Sequence, residues 1–377
     1  MSSGAKMKEK EKKKTRYRLK KGQKIFLLLT LISLAAALTL HFIFLSFPKE
    51  LQAQYAWERF RGDNKSEFSQ VSVFLPHDKD KAFTVDRLFE LRSSYKGAFA
   101  AAGKAAEGET VWDDAFSSKL KVSIKSEKGE TEAKAFAVGG DYFLFHPLML
   151  KSGSYIAESD FMHDGIVVDE VTSWKLFGGI DTAGKTVYIA GKPYIVKGVV
   201  SLEKDKLSQS AIVEEGIIFM HFDAAESRGE ERLPIEYYEF VGKEPISNFC
   251  QSLMKEKFEN AEIKKIDGRF SESSIYSLLF GYLERGTKAI LLDYPYWENA
   301  AVMSENRLAL ILLLKTFFLI LPVALAAYAA YKTLAYLRRK IFAEFFPKLK
   351  NNISETIRKR QRSRILKKQE NESKKDE

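Results

Sequence analysis

Residues 165–200 read GIVVDEVTSWKLFGGIDTAGKTVYIAGKPYIVKGVV. The run opens on β-branched residues at 165–168, the composition of a buried strand. Val171, Trp174 and Phe177 then recur at helical spacing over 169–177, which predicts a helix with these three side chains on its buried face, and the pattern stops at Gly178-Gly179. Further on, 186–189 and 194–200 flank Ala190-Gly191-Lys192, where glycine supplies the positive φ of a tight turn. Strand, helix and hairpin in so short a stretch point to an α+β fold.

Outward from this stretch the same alternation continues. A second hairpin is expected from 121–125 and 131–138 around Glu127-Lys128-Gly129-Glu130, and further strands at 70–75, 216–222 and 235–241. Helices are expected at 84–93, with Thr84 as N-cap and Val85, Leu88 and Leu91 inward, and at 245–258, with Pro245 early and Ile246, Phe249, Leu253 and Phe258 buried. Residues 201–215 turn polar and lose periodicity, so the sequence suggests two subdomains with mixed or antiparallel sheets, about 48–200 and 216–300.

The domain is bracketed by apolar runs. Residues 25–47 (IFLLLTLISLAAALTLHFIFLSF) carry no formal charge and, at 1.5 Å per residue, extend roughly 34 Å as a helix, enough to span a bilayer. The run is longer than a signal peptide's apolar core and ends in Phe47-Pro48 instead of small residues, which favours an uncleaved signal anchor. Near its outer end, His41 reads as a neutral interfacial imidazole. The second run, 308–337, is interrupted by Lys315, Pro322 and Lys332. Lys315 is expected to snorkel to the interface on its four-carbon stem, Pro322 to kink the helix, and the alanines at 324–330 to offer a packing surface.

The net charge of +10 lies at the ends. Residues 1–24 hold eleven Lys/Arg against Glu9 and Glu11, and residues 332–377 hold fifteen against six acids, so the part between is acidic. A phosphate-tracking surface would lie on the folded part, and nucleic-acid binding is therefore excluded. Basic residues beside both spans place both tails, 1–24 and 338–377, in the cytoplasm of a bacterial plasma-membrane protein. Residues 48–307 are then extracytoplasmic. In the second tail 338–349 (RRKIFAEFFPKL) mixes Phe and basic residues as an interfacial helix does, or as a contact with an ATPase would. Residues 351–377 read as a solvated helix or as disordered.

No catalytic, cofactor-binding or metal-ligating residue can be assigned from the sequence, and no cofactor is implied. The stretch 281–288 (GYLERGTK) transposes the Lys and Thr of a phosphate-binding loop. His41, His77, His146, His163 and His221 are scattered without ligand spacing; His163 with Asp160 and Asp164 reads as a solvated loop before a metal site. The single cysteine, Cys250, reads as a small buried hydrophobe. The acid pairs Asp113-Asp114, Glu214-Glu215 and Glu230-Glu231 read as solvated surface.

One stretch also carries a resemblance. In residues 136–200, Asp141-Tyr142-Phe143 is followed by LMLKSG at 148–153, by a strand and helix closing on Leu176-Phe177-Gly178, by Gly184-Lys185, and by a hairpin ending at 196–200. This ordered set resembles the periplasmic core domain of MacB-type ABC transporter permeases (MacB/FtsX-like), more weakly over 70–242. The resemblance implies a non-catalytic membrane subunit whose outer domain binds a partner or transmits motion during export. Its expected partners are the lipid bilayer, a separate ABC ATPase and permease subunits; self-association as a homo-oligomer is left open. Family members carry three spans after the outer domain, and one such run is seen here. The rival reading is a two-span anchored binding or scaffold protein without ATPase coupling.

Overall fold

The computed structural model describes residues 20–76, 82–102, 110–202, 216–227, 232–280 and 294–373. The chain divides into two compact bodies, Phe42–Leu313 and the remainder, Met1–His41 with Leu314–Glu377.

In chain order the helices are α1 (Lys21–Ser46), α2 (Ala56–Arg61), α3 (Val85–Ala101), α4 (Tyr142–Phe145), α5 (Glu170–Phe177), α6 (Phe222–Glu226), α7 (Phe249–Lys257), α8 (Glu272–Phe280), α9 (Tyr296–Lys340) and α10 (Phe346–Ser373). The strands are β1 (Phe68–Phe74), β2 (Trp112–Lys125), β3 (Glu130–Gly140), β4 (Met149–Gly153), β5 (Gly165–Asp169), β6 (Thr186–Ile189), β7 (Lys192–Ser201), β8 (Gly216–His221), β9 (Tyr237–Lys243) and β10 (Glu262–Lys265).

The ten strands among the described residues form one sheet, ordered β10-β1-β9-β2-β3-β8-β5-β7-β4, with β6 paired to β2 and β7. The β3–β8 and β5–β7 pairs are parallel and the others antiparallel. Both faces of the sheet carry a core. One is built on Leu88, Tyr95, Phe99, Leu176, Phe240 and Met254, the other on Phe74, Phe136, Tyr142, Phe219, Tyr237 and Trp297. Strands covered on both sides lose polar alternation, which is why β1, β5 and β8 are buried throughout. At Gly139 the Phe116 ring occupies the place of a Cβ, which would meet it at 2.1 Å. The sheet runs across the expected boundary at 201–215: β8 sits between β3 and β5, and β9 between β1 and β2. Residues 216–243 are therefore inserted into the first part's sheet and do not form a subdomain of their own.

Two helices depart from the sequence expectation. In α5, Val171 and Trp174 are 47% and 59% exposed, while Thr172, Ser173 and Leu176 face inward. The reversal is supported by the cap at its start and by the bonded hydroxyl of Ser173. Asp169 caps the helix by accepting from Thr172 N at 2.7 Å, and the Ser173 hydroxyl donates to Gly179 O at 2.7 Å beside Thr182. Gly178, at φ 73°, ends the helix as expected. The helix expected from Pro245 begins only at Phe249, because Asn248 takes a left-handed φ of 64° that a helix cannot continue through, and Ile246 is left exposed.

Two helices are long and apolar enough to cross a membrane, with mean hydropathy 2.3 for Lys21–Glu50 and 2.6 for Tyr296–Ala343. Ser33 Oγ donates to Phe318 O at 2.5 Å, and Lys315 Nζ lies 3.2 Å from His41 Nδ1. The lysine stem thus brings its ammonium to the imidazole of the other helix. Pro322 lies inside α9. The expected separate surface helix at 338–349 is divided otherwise: Arg338, Arg339 and Lys340 end α9, Ile341–Phe345 form a π-helical turn, and α10 begins at Phe346.

Candidate functional site

Within the larger body the segment that follows α1 and the start of α9 are held by one arginine. Arg269, in the turn after β10, donates from Nε to Glu305 at 2.7 Å, from Nη1 to Glu298 at 2.8 Å and Gln54 at 3.0 Å, and from Nη2 to Glu298 at 2.7 Å. Gln54 lies in the short 3-10 turn Gln52–Tyr55; Glu298 and Glu305 lie two turns apart on α9. Lys264 of β10 adds a second cation, 2.7 Å from Glu298. Burial opposes the charge on Arg269, but Glu298 and Glu305 more than offset it and hold the guanidinium above its ordinary value. The planar fork suits the task, since one lysine could not serve three acceptors in fixed directions.

The sheet grips the same segment. Gln70 of β1 accepts from Ala56 N at 2.9 Å and donates to Ala53 O at 2.9 Å, while Asp267 accepts from Ser69 Oγ and Gln70 N. Arg59 donates to Leu144 O and Phe145 O, tying α2 to α4. Trp297 packs among Phe136, Tyr142, His146 and Tyr237. His146, buried, meets Glu239 of β9. These residues join the sheet to the helix ends.

Other titratable groups lie elsewhere on the sheet. Asp114 is buried, not solvated: Arg92 of α3 holds it at 2.9 and 2.6 Å, and Tyr238 O–H donates to it at 3.0 Å. Its neighbour Asp113 faces Asp141. Burial, then the hydrogen bond and charge of Asp141, push the Asp113 carboxyl up to about 8. His163 and His221 stack at 4.5 Å, with Asp223 beside the first and Asp160 beside the second, and both line a cleft of 70 Å³. That volume holds a few waters and falls far below a small-molecule pocket. Among the described residues no group of His, Cys, Asp and Glu is placed to hold a metal ion. Cys250 is buried, and burial followed by Glu244 pushes its thiol well up, so it is an inert hydrophobe. His77, Glu214, Glu215, Glu230, Glu231 and the stretch 281–288 lie outside the described residues.

The Asp113 shift has a testable sign. The unfolded carboxyl titrates near 3.8 and the native one at about 8, so the native state binds the extra proton between these values. The contribution is present below the unfolded value and lost as pH rises to 8. Asp113→Asn should leave stability at pH 4 nearly unchanged and raise it at pH 9 by roughly 1–2 kcal/mol, well short of the full shift because the half-buried pair is screened by water. Urea unfolding at the two pH values measures this; equal effects at both would contradict the shared-proton geometry.

Residues 67–241 match the family model of the MacB-like periplasmic core domain. Similar solved structures include the extracellular domain of the noncanonic ABC-type transporter YknZ from Gram-positive bacteria, at 15% identity over 52% of this chain and 100% of that one, TM-score 0.37. The periplasmic region of MacB from Actinobacillus actinomycetemcomitans gives 17% identity over 56% and 94%, TM-score 0.36. A domain of a permease protein from Porphyromonas gingivalis gives 13% over 52% and 88%, TM-score 0.31. No curated protein matches the chain. Residues 67–241 are thus similar to the MacB-like periplasmic core domain.

The motifs that carried the resemblance do structural work in this MacB-like domain. Asp141 N donates to Asp114 O, Tyr142 is buried against Trp297, and Gly184 N donates to Val196 O at 2.7 Å to close the β7 hairpin. The joint is different. Gln54, Arg269, Glu298 and Glu305 all fall outside 67–241, so the ion cluster lies beyond the family match, while Gln70 and Phe136, which hold the same segment and Trp297, lie within it. Sequence reading missed them, although one signal was available. Glu298 and Glu305 sit seven apart on one helix face just before an apolar run, where carboxylates need a cation.

Proposed function

We propose that this chain is a non-catalytic membrane subunit of an ABC-type transporter system, in which the MacB-like domain transmits motion between the membrane helices and the exterior. The observation that carries the reading is the Arg269 joint. A domain that only displayed a ligand-binding face would need a tether, whereas Arg269 fixes Gln54, Glu298 and Glu305 to the sheet through a buried, bidentate ion cluster. Energy would come from a separate ATPase, received by the basic tail. Purifying the protein with any ATPase encoded beside it, and measuring ATP turnover with and without Phe345→Glu plus Phe346→Glu, tests this. Loss of association and of turnover stimulation is expected. An ATPase that neither binds nor changes turnover would leave the anchored binding module as the better reading. That rival draws support from apolar side chains left in solvent, Phe161 at 95% exposure, Met162, Val171 and Trp174.

The topology belongs to the same proposal. With Lys/Arg clustered beside both spans, both tails face the cytoplasm and the MacB-like domain lies outside. Protease added to sealed cells should cut the domain and spare both termini; a C-terminus cut from outside would overturn the assignment.

A further inference from the structure

We propose that the C-terminal helix α10 docks on the anionic lipid surface of the bilayer that α9 crosses, through an apolar stripe flanked by arginines and lysines. Leu349, Ile353 and Ile357, all exposed, recur every four residues and share one helix face. Lys350 borders that face and Arg360 and Arg364 continue it past Ile357, with Arg358, Lys359 and Arg362 on the rest of the circumference, against Glu355 alone over 349–364. A soluble helix with an apolar stripe needs a cover. Here both halves of the helix ask for the same one, because the acyl boundary takes the stripe and phosphate-bearing headgroups take the cations.

Two features at the base of α10 let it lie on that surface. Ile341–Phe345 form a π-helical turn, a common place for a helix to bend, and Pro347 follows at the second position of α10, where it removes a donor that a straight continuation of α9 would use. The stripe is also continuous in sequence with the span, so docking costs little association entropy. A second copy of the chain is the weaker occupant, since two such helices would bring like charges together.

The inference rests on the reading that this tail faces the cytoplasm, and that reading fails separately, in the protease experiment on sealed cells. The docking test uses the full chain with Ile357→Cys labelled with an environment-sensitive fluorophore; Cys250 is buried and does not compete for the label. The protein is reconstituted in nanodiscs of phosphatidylcholine alone or with phosphatidylglycerol. A blue shift and loss of aqueous quenching are expected only with the anionic lipid. Arg358→Glu, Lys359→Glu and Arg360→Glu should weaken docking by about five-fold for each cation lost, and high salt should do the same. Identical spectra in both nanodiscs would overturn the proposal. So would a shift in detergent that grows with protein concentration, which would assign the stripe to a second copy.

Discussion

Arg269→Met in the full-length protein should lower unfolding stability by about 3–5 kcal/mol, the cost of leaving buried charge without its partner. Glu298 and Glu305 are 1% and 5% exposed, and both would lose the guanidinium that bonds them. Arg269→Lys should cost less, since it keeps a charge while losing the fork that serves Gln54, Glu298 and Glu305 together. The decisive variant is Arg269→Met with Glu298→Gln and Glu305→Gln. Removing the arginine together with both carboxylates removes the uncompensated buried charge, so most of the stability should return. What should not return is cooperativity between sheet and helix ends, because the directional bonds between Arg269 and α9 are gone. Denaturant unfolding followed by the fluorescence of Trp297, which packs on the sheet, would show one transition in the parent and two in the triple variant. A loss below about 1 kcal/mol for Arg269→Met would mean that water already reaches the cluster and that it is no joint.

The α+β fold was legible because its signals are local. Gly191 fixes one hairpin, the Glu127-Lys128-Gly129-Glu130 turn another, and the β-branched run at 165–168 marks a strand. The two strands that sequence reading missed, Met149–Gly153 and Glu262–Lys265, are the sheet edges, where half-exposed polar residues erase the alternation. The face of α5 was misjudged for a related reason. Periodicity ranks Val171 and Trp174 above Thr172 and Ser173, but it cannot see Asp169 capping the helix at Thr172 N or Gly179 accepting from the Ser173 hydroxyl. The joint was the least legible part. Gln54 and Arg269 are 215 residues apart and meet only once the sheet has formed, and no local pattern announces that. Asp113 and Asp114 show the same limit. Adjacent in one strand, they point to opposite faces, one toward Asp141 and the other into the Arg92 cluster.

That second cluster should respond asymmetrically to substitution. Arg92 of α3 grips Asp114 of β2 with two hydrogen bonds, Tyr238 of β9 adds a third, and the Tyr95 and Tyr238 hydroxyls lie 3.1 Å apart. Burial pushes both phenols well up, so they stay protonated and can only donate to or share with the carboxylate. Burial opposes charge on Arg92 as well, but its hydrogen bonds to Asp114 outweigh this and hold it above its ordinary value. The two partners differ in access to water: the Arg92 side chain is 18% exposed and that of Asp114 is 3%. Arg92→Met should therefore cost about 3–5 kcal/mol, because Asp114 stays behind as a buried carboxylate with one phenol. Asp114→Asn should cost only about 1–2 kcal/mol, because the amide still accepts from Tyr238 and the guanidinium can turn toward water and Glu158, over the faces of Phe89 and Phe116. Thermal or urea unfolding of the two variants side by side measures the difference. Equal losses would mean that Asp114 is reached by solvent and that α3 is held to the sheet by its apolar contacts, Leu88, Tyr95 and Phe99, without help from the ion pair.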